Sequence, residues 1–264
     1  MTKTNGGKAR PARQISQLDL TEFDADRLET GRDYDAVAFT DRDFTDQDAA
    51  DVRFLECRLE RCCVEGLSMR RARVIDCVFS EVHGASVDFA DSIWRDSRMT
   101  GGRLGAMTVA GATWTRVRLS GVKLGFLNLA GARLEDVEFD GCEIGSLDVG
   151  SAKLRSVAFV DCTVQELNVA EATLSNVDLS GAKLRTLVGI EYLRGAIVSH
   201  EQLLDLAPQF AAQLGVEVRE DRPASAEGRR RARMSGRAQP SDRGFGPSNS
   251  ILTRGASRID CVRR

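Results

Sequence analysis

Large apolar side chains recur at every fifth position along the middle of the chain. From Phe39 to Leu184 this spacing defines 30 positions, and 28 of them hold Phe, Leu, Val, Ile, Met or Trp. The two exceptions are Ala49 and Gly84. A period of five matches neither the period of an α-helix nor that of a strand. The pattern therefore predicts a chain that turns a corner every five residues.

A second set of inward positions lies two residues before the first. Between Val52 and Leu187 it comprises 28 sites, all small or apolar and none charged. The same slots recur every twenty residues, as Leu127, Leu147 and Leu167 illustrate. Four five-residue segments therefore make one coil with four sides, and successive coils are expected to stack at the strand spacing of about 4.8 Å.

The five-residue unit resembles that of the pentapeptide-repeat family from about Val37 to Leu187. VDLSG (Val177–Gly181) and LNLAG (Leu127–Gly131) match the family pattern closely. The resemblance implies an all-β fold, a right-handed quadrilateral β-helix solenoid, which a short α-helix is expected to cap at its C-terminal end. The second slot of the unit departs from the family's Asp or Asn at several positions, among them Arg53, Arg133, Lys153 and Thr173.

The repeat also predicts which side chains fill the core. Gly84 would leave a void among them, and we expect that void to make room for the indole of Trp94, because protein interiors tolerate few empty volumes. The candidate core residues are Phe54, Trp94, Trp114, Gly84, Leu129, Phe139, Phe159 and Leu184.

The repeat and the composition divide the chain into four segments. We expect a disordered N-terminal segment and cap over 1–36, the β-helix over 37–188, a helical cap over 189–220 and a disordered tail over 221–264. Ser199 and Gln202 fit a capping box, and Pro208 is expected to split or kink the helix that follows. The cap either covers the last coil or forms a homodimer surface, and some relatives in the family pair through this end.

Charge is distributed unevenly along the chain. The net charge of −2 combines −9 for residues 1–220 with +7 for residues 221–264. In the tail a candidate contact run comprises Arg229, Arg230, Arg231 and Arg233. Within the repeat, a stretch free of acids holds a candidate interaction patch, called the basic belt below, of Arg98, Arg103, Arg116, Arg118, Lys123 and Arg133. The belt is either an ordinary solvated surface or a site for an anion or an acidic partner.

The sequence contains little that indicates catalysis. His83 and His200 have no partner motif, so we expect no enzyme activity, no metal site and no cofactor. Five cysteines fall in the small inward slot and are expected to act as small apolar residues: Cys57, Cys62, Cys77, Cys142 and Cys162. With no apolar run long enough to cross a bilayer and no signal-peptide core, a cytoplasmic location is expected.

Two hypotheses for function follow. Some pentapeptide-repeat proteins, including the quinolone-resistance group that this chain resembles more distantly, mimic duplex DNA and bind DNA gyrase. The resemblance and the net charge of −9 on residues 1–220 favour a non-catalytic protein-interaction module that acts as such a mimic. The alternative is a scaffold or nucleic-acid-associated protein that uses the basic belt and the Arg-rich tail, because basic segments bind phosphates through charge.

Overall fold

A computed structural model describes residues 20–219 of the protein, and within them the chain winds into a four-sided β-solenoid of about nine turns followed by a single α-helix. The predicted fold class is confirmed. The strands, in chain order, are β1 (Thr21–Glu22), β2 (Asp33–Asp35), β3 (Val37–Thr40), β4 (Arg53–Leu55), β5 (Arg58–Glu60), β6 (Leu67–Ser68), β7 (Arg73–Ile75), β8 (Val78–Ser80), β9 (His83–Asp88), β10 (Ile93–Arg95), β11 (Arg98–Thr100), β12 (Arg103–Thr108), β13 (Thr113–Thr115), β14 (Arg118–Ser120), β15 (Lys123–Asn128), β16 (Arg133–Asp140), β17 (Glu143–Asp148), β18 (Lys153–Val160), β19 (Cys162–Asn168), β20 (Thr173–Asp178), β21 (Ala182–Val188) and β22 (Ala196–Ile197). A short 3-10 helix (Ile190–Tyr192) precedes β22, and the α-helix α1 (His200–Gln213) follows it.

Every pairing between strands of this region is parallel, and within the coils each residue lies opposite the residue twenty positions later. Trp94 pairs with Trp114, for example, and Arg103 pairs with Lys123. The predicted twenty-residue coil is therefore observed. The register changes only at the ends, where Thr21 pairs with Val37 and Val177 with Ala196.

The strands form two sheets, each of which wraps two sides of the solenoid. We number the sides in chain order, so that one coil passes through sides 1, 2, 3 and 4. The inward residues that mark them are Trp94 and Trp114 on side 1, Phe79 and Phe139 on side 2, Leu104 and Leu124 on side 3, and Phe89 and Leu129 on side 4. Because both inward slots of each five-residue unit point to the axis, one continuous apolar core runs along the solenoid.

The core contains most of the candidate core residues. Six are at most 3% exposed, namely Phe54, Trp94, Trp114, Leu129, Phe139 and Phe159. Leu184, in the last coil, is only partly buried. Phe79 stacks on Trp94 with a centroid distance of 4.9 Å, and Phe139 stacks on Phe159 at 4.7 Å. Aromatic side chains of neighbouring coils thus pack directly on one another, both at equivalent positions (Phe139 and Phe159) and between sides (Phe79 and Trp94).

Gly84 is a glycine for a different reason from the one we expected. A Cβ built on it would lie 2.9 Å from the backbone nitrogen of Glu65 and 3.0 Å from the carbonyl carbon of Val64. The backbone of the preceding coil therefore leaves no room for a side chain at position 84. The indole of Trp94 is not needed to explain the glycine.

This close approach coincides with a change in the corner between sides 3 and 4. In the first coils that corner uses a left-handed residue, Asp46 with φ 54° and Gly66 with φ 63°. From β9 onward the strand runs straight through the corner, and Ser86 has no positive φ. Gly84 lies where one coil geometry is stacked on the other, so we attribute the tight contact to that mismatch.

Helix α1 closes the C-terminal end of the coils. The side chain of Ser199 accepts a hydrogen bond from the backbone of Gln202 at 3.1 Å, and the Gln202 side chain accepts from the backbone of Ser199 at 2.8 Å. The amide nitrogen of Gln202 also donates to the carbonyl oxygens of Leu179 and Ala182 at 2.8 and 2.6 Å. The capping-box residue thus ties the helix to the last coil.

Pro208 does not split α1, contrary to expectation. The helix runs without a break from His200 to Gln213. Proline removes the hydrogen bond to the carbonyl four residues earlier, which here belongs to Leu204. Because Leu204 is 61% exposed, water can satisfy that carbonyl.

Candidate functional site

The outer surface of the solenoid consists of straight rows of side chains, one residue from each coil. Strand pairing places each outward residue next to its equivalent in the neighbouring coil, about 4.8 Å away. Charged residues in one row therefore interact directly. The row His83, Arg103, Lys123, Glu143, Thr163 on side 3 illustrates the arrangement.

Several rows contain ion pairs between Asp and Arg at left-handed corners. Arg61 contacts Asp41 at 2.7 Å, and Arg71 contacts Asp51 at 2.7 Å, each with two nitrogens facing two oxygens. All four residues have positive φ. The arginine hydrogen bonds hold the pKa of Asp41 and of Asp51 below its ordinary value. These corners, strained for any residue with a Cβ, are thus bridged between coils by paired charges.

Three members of the basic belt form ion pairs with carboxylates. Arg116 contacts Asp96 at 2.5 Å, in a pair that is largely shielded from solvent. Hydrogen bonding to this carboxylate raises the pKa of Arg116 above its ordinary value.

The other two paired members, Arg118 and Lys123, bind acids of the next coil. Arg118 contacts Asp140 at 2.6 Å, and Lys123 contacts Glu143 at 2.9 Å. These acids come twenty or more residues later in the chain, so the gap in acidic sequence does not correspond to an acid-free surface.

The remaining members, Arg98, Arg103 and Arg133, have no carboxylate within 4.0 Å among residues 20–219. They lie on three different sides, because Arg98 begins a side 2 strand, Arg103 a side 3 strand and Arg133 a side 1 strand. The belt is therefore not one continuous surface. Of these three arginines, Arg103 lines a groove, as does the paired Lys123.

This groove, called the side 3 groove below, runs along the solenoid from His83 to Gln165 and has a volume of about 770 Å³. The row that begins with His83 and Arg103 forms one of its walls, and its base is a row of residues with little or no side chain, Ala85, Gly105, Gly125 and Gly145. Phe126 lies just beyond Gly125 and is 37% exposed. The five-residue pattern did not predict the groove, although glycine at three consecutive coil positions could have indicated it.

The acidic side chains are arranged differently. At the corner between sides 1 and 2, one row holds Glu56, Asp76 and Asp96 in successive coils, then Arg116 and Asp136. Arg116 interrupts this acidic row and binds Asp96. The net charge of −9 on residues 1–220 is thus spread over rows that also contain arginines paired with carboxylates.

The inward cysteines are all buried and unpaired by disulfides. Burial raises the pKa of the Cys77 thiol well above its ordinary value, and its hydrogen bond with Cys57 contributes. The hydrogen bond with Cys162 and burial raise the pKa of Cys142 in the same direction. The thiols of Cys77 and Cys142 therefore stay protonated at neutral pH, and all five inward cysteines fill the small slot of the coil.

Other features can be placed briefly. In the described part of the chain, no group of three or more His, Cys, Asp or Glu side chains could hold a metal ion. None of the helices between residues 20 and 219 is long and apolar enough to cross a membrane. The candidate tail contacts Arg229, Arg230, Arg231 and Arg233 lie outside the described residues.

The strand pairing identifies the described region as a parallel β-solenoid with twenty-residue coils. Residues 112–187 match the family model described as a pentapeptide repeat region. The resemblance seen in the sequence is thereby confirmed, and the chain carries a pentapeptide-repeat region of that family. No curated protein matches the chain.

Solved structures similar to the chain are also pentapeptide-repeat proteins. One is HetL, a pentapeptide repeat protein involved in heterocyst differentiation regulation from the cyanobacterium Nostoc sp. strain PCC 7120, with 15% identity over 64% of this chain and 90% of HetL, and a TM-score of 0.36. Another is QnrB1, a plasmid-mediated fluoroquinolone resistance protein. Its full-length form has 16% identity over 72% of this chain and 94% of QnrB1, with a TM-score of 0.26.

Proposed function

We propose that this protein is a rigid, non-catalytic interaction module that acts in the cytoplasm and binds a protein partner through its outward rows of side chains. The observation that carries the proposal is the arrangement of those rows, in which strand pairing fixes charged groups at one-coil intervals on four sides. The closely packed interior supports it, because a stacked core holds the rows in place without help from a partner.

The partner we propose is DNA gyrase, which the protein would bind as a mimic of DNA. The −9 charge of residues 1–220 supports this partner, because anionic rows can occupy a surface that binds phosphates. The row with Glu56 and Asp76 is the candidate contact, since neither side chain has an ion pair among the described residues. The carboxylates of other rows would contribute less to gyrase binding, because arginines already pair with them.

A supercoiling assay with purified gyrase and relaxed plasmid tests this proposal. The full chain at micromolar concentration should inhibit supercoiling or protect gyrase from a quinolone. Replacing Glu56 and Asp76 by lysine should abolish the effect. A control with Asp161→Lys and Glu171→Lys makes the same charge change at other left-handed corners and should retain it. An absence of any effect by the unaltered chain counts against gyrase as the partner.

A second candidate function is that of a scaffold or nucleic-acid-associated protein. The exposed Arg103 and Arg133, which lack carboxylate partners within residues 20–219, favour it, and so does the +7 charge of the tail sequence. Filter binding of duplex DNA at graded salt tests this function. Removal of residues 221–264 should flatten the dependence of affinity on salt, because fewer counterions are released. An unchanged dependence of affinity on salt would show that the tail does not contribute to DNA binding.

We also propose a homodimer through the C-terminal cap. Leu203, Leu204 and Leu214 on or next to α1 are 47%, 61% and 78% exposed, which leaves apolar surface that a second copy could cover. Light scattering after gel filtration should give the mass of a dimer, and Leu204→Glu should give a monomer. A monomeric unaltered chain at high concentration would disprove this arrangement.

A further inference from the structure

The side 3 groove combines a concave surface with cationic side chains that lack full charge compensation. Arg103 is exposed and has no carboxylate within 4.0 Å among residues 20–219. His83 precedes it in the row and Lys123 follows it, at one-coil spacing. Lys123 is about half exposed and is bound on one side by Glu143. The groove therefore presents positive charge on a body whose net charge is negative.

The glycines of the groove have a structural explanation that does not involve a ligand. A Cβ on Gly105 would lie 2.5 Å from the carbonyl oxygen of Ala85, and one on Gly125 would lie 2.4 Å from that of Gly105. The backbone of side 3 thus requires glycine at these positions. The consequence is an open channel beside the cationic wall, and the argument for a ligand rests on that wall.

We propose that the side 3 groove binds an extended acidic segment of a partner protein, with its carboxylates on Arg103 and Lys123. An arginine fork matches a carboxylate in two parallel hydrogen bonds. Successive coils place Arg103 and Lys123 about 4.8 Å apart along the axis. Alternate side chains of an extended peptide are about 6.8 Å apart, so two acidic residues separated by one other can reach both of these long cationic side chains. Phe126, beside the channel, offers an apolar contact to a flanking residue.

The length of the cationic row favours a short acidic segment over a nucleic acid. Glu143 follows Lys123 in the row, and Glu166 lies near the same end. A phosphate backbone carries its charge along its whole length and would run into these carboxylates. A segment with two or three acids ends before it reaches them. The inference goes beyond the proposed function, because it names a second contact surface that does not use the row of Glu56 and Asp76.

Fluorescence anisotropy with the full chain tests the inference. The probe is a short fluorescein-labelled peptide in which glutamate alternates with serine, with a glutamine-for-glutamate peptide as its control. Arg103→Glu should weaken binding of the acidic peptide about tenfold or more. Arg133→Glu makes the same charge change on side 1, at an exposed arginine that also lacks a described ion pair, and should change the affinity by less than about twofold.

These binding measurements distinguish a peptide bound in the side 3 groove from one bound at another surface. Binding should weaken as salt is raised, and the glutamine peptide should not bind. If Arg103→Glu does not fold, as judged by circular dichroism, Arg103→Gln removes the charge with less disturbance and should give a smaller loss in the same direction. The inference is overturned if the peptide does not bind, if both arginine variants weaken it equally, or if a single-stranded oligonucleotide binds through Arg103 and the peptide does not. A negative gyrase assay leaves this result unaffected.

Discussion

At the scale of single residues, Trp94 and Trp114, whose rings lie 5.7 Å apart in neighbouring coils, differ in one hydrogen bond. The indole nitrogen of Trp94 donates to the side chain of Ser92 at 3.1 Å. The indole nitrogen of Trp114 is buried and has no partner, and the position that corresponds to Ser92 one coil later is Ala112. The sequence difference between Ser92 and Ala112 therefore leaves one buried donor unsatisfied.

Ala112→Ser should supply the missing acceptor and stabilise the protein by about 1 kcal/mol, since an unsatisfied buried donor costs about that much or more. Ser92→Ala should destabilise it by a similar amount. Urea denaturation measures both free energies of unfolding. A destabilising Ala112→Ser would show that the serine oxygen does not reach the Trp114 nitrogen.

Gly84 provides a second test at this scale. Gly84→Ala should destabilise the protein by about 1–3 kcal/mol, because its Cβ meets the backbone of Glu65 and cannot be accommodated by a rotamer change. The double variant with Trp94→Phe separates the two explanations for this glycine. If backbone contact is the cause, the two free-energy changes should add. Rescue of Gly84→Ala by the smaller ring would instead support the indole.

The corner carboxylates give the stability a dependence on pH. The pKa values of Asp41 and Asp51 are lowered in the folded protein by hydrogen bonds from Arg61 and Arg71. Their contribution is therefore present above the unfolded value of about 3.9 and is lost as the pH falls through the lower folded values.

The double variant Arg61→Gln and Arg71→Gln should lose less stability than the unaltered chain between pH 5 and pH 2. Denaturation at a series of pH values measures the difference, and Arg133→Gln is the control, since Arg133 has no ion pair in the described region. An equal acid sensitivity of the double variant and the unaltered chain would exclude these pairs as its source.

At the scale of elements, the repeat predicts the strands because each five-residue unit has a fixed division into inward and outward positions. At the corner between sides 3 and 4 the backbone changes from left-handed at Asp46 and Gly66 to extended at Ser86. The pattern does not predict this change, because both conformations keep the same inward residues. The side 3 groove follows from this backbone change, so the sequence predicted the cationic residues around it but not the groove.

The side chain of Gln202 hydrogen-bonds α1 to the coils, beside the apolar contacts of Leu206 and Phe210 with the core. Gln202→Glu keeps an acceptor for the backbone of Ser199, but it replaces the amide donor with a carboxylate facing the carbonyl oxygens of Leu179 and Ala182. We expect it to destabilise the cap by about 1–3 kcal/mol. Gln209→Glu, on the exposed surface of the same helix, is the control and should have little effect. Limited proteolysis near α1 measures the opening of the cap, and equal cleavage of both variants would contradict this role.

At the scale of the whole molecule, the alternation of outward rows and inward positions explains how a chain with 42% apolar residues forms a continuous core through the coils of residues 20–219. Two of every five residues suffice to fill the interior, and the other three are free to form rows. The twenty-residue period places the partners of the outward ion pairs in neighbouring coils, but the prediction followed the inward positions and did not pair the outward residues. Acids about one coil away bind three of the six members of the basic belt, while Arg103 has no carboxylate partner among residues 20–219.

The central claim is that these rows are held by a rigid stack of coils, and amide hydrogen exchange tests it most directly. Backbone amides that pair between coils from Arg53 to Val188 should be protected to a similar degree and exchange only through global unfolding, while those of α1 and of the segment before β2 should exchange sooner. Rapid exchange in the middle coils, around Trp94 and Trp114, would contradict a rigid platform.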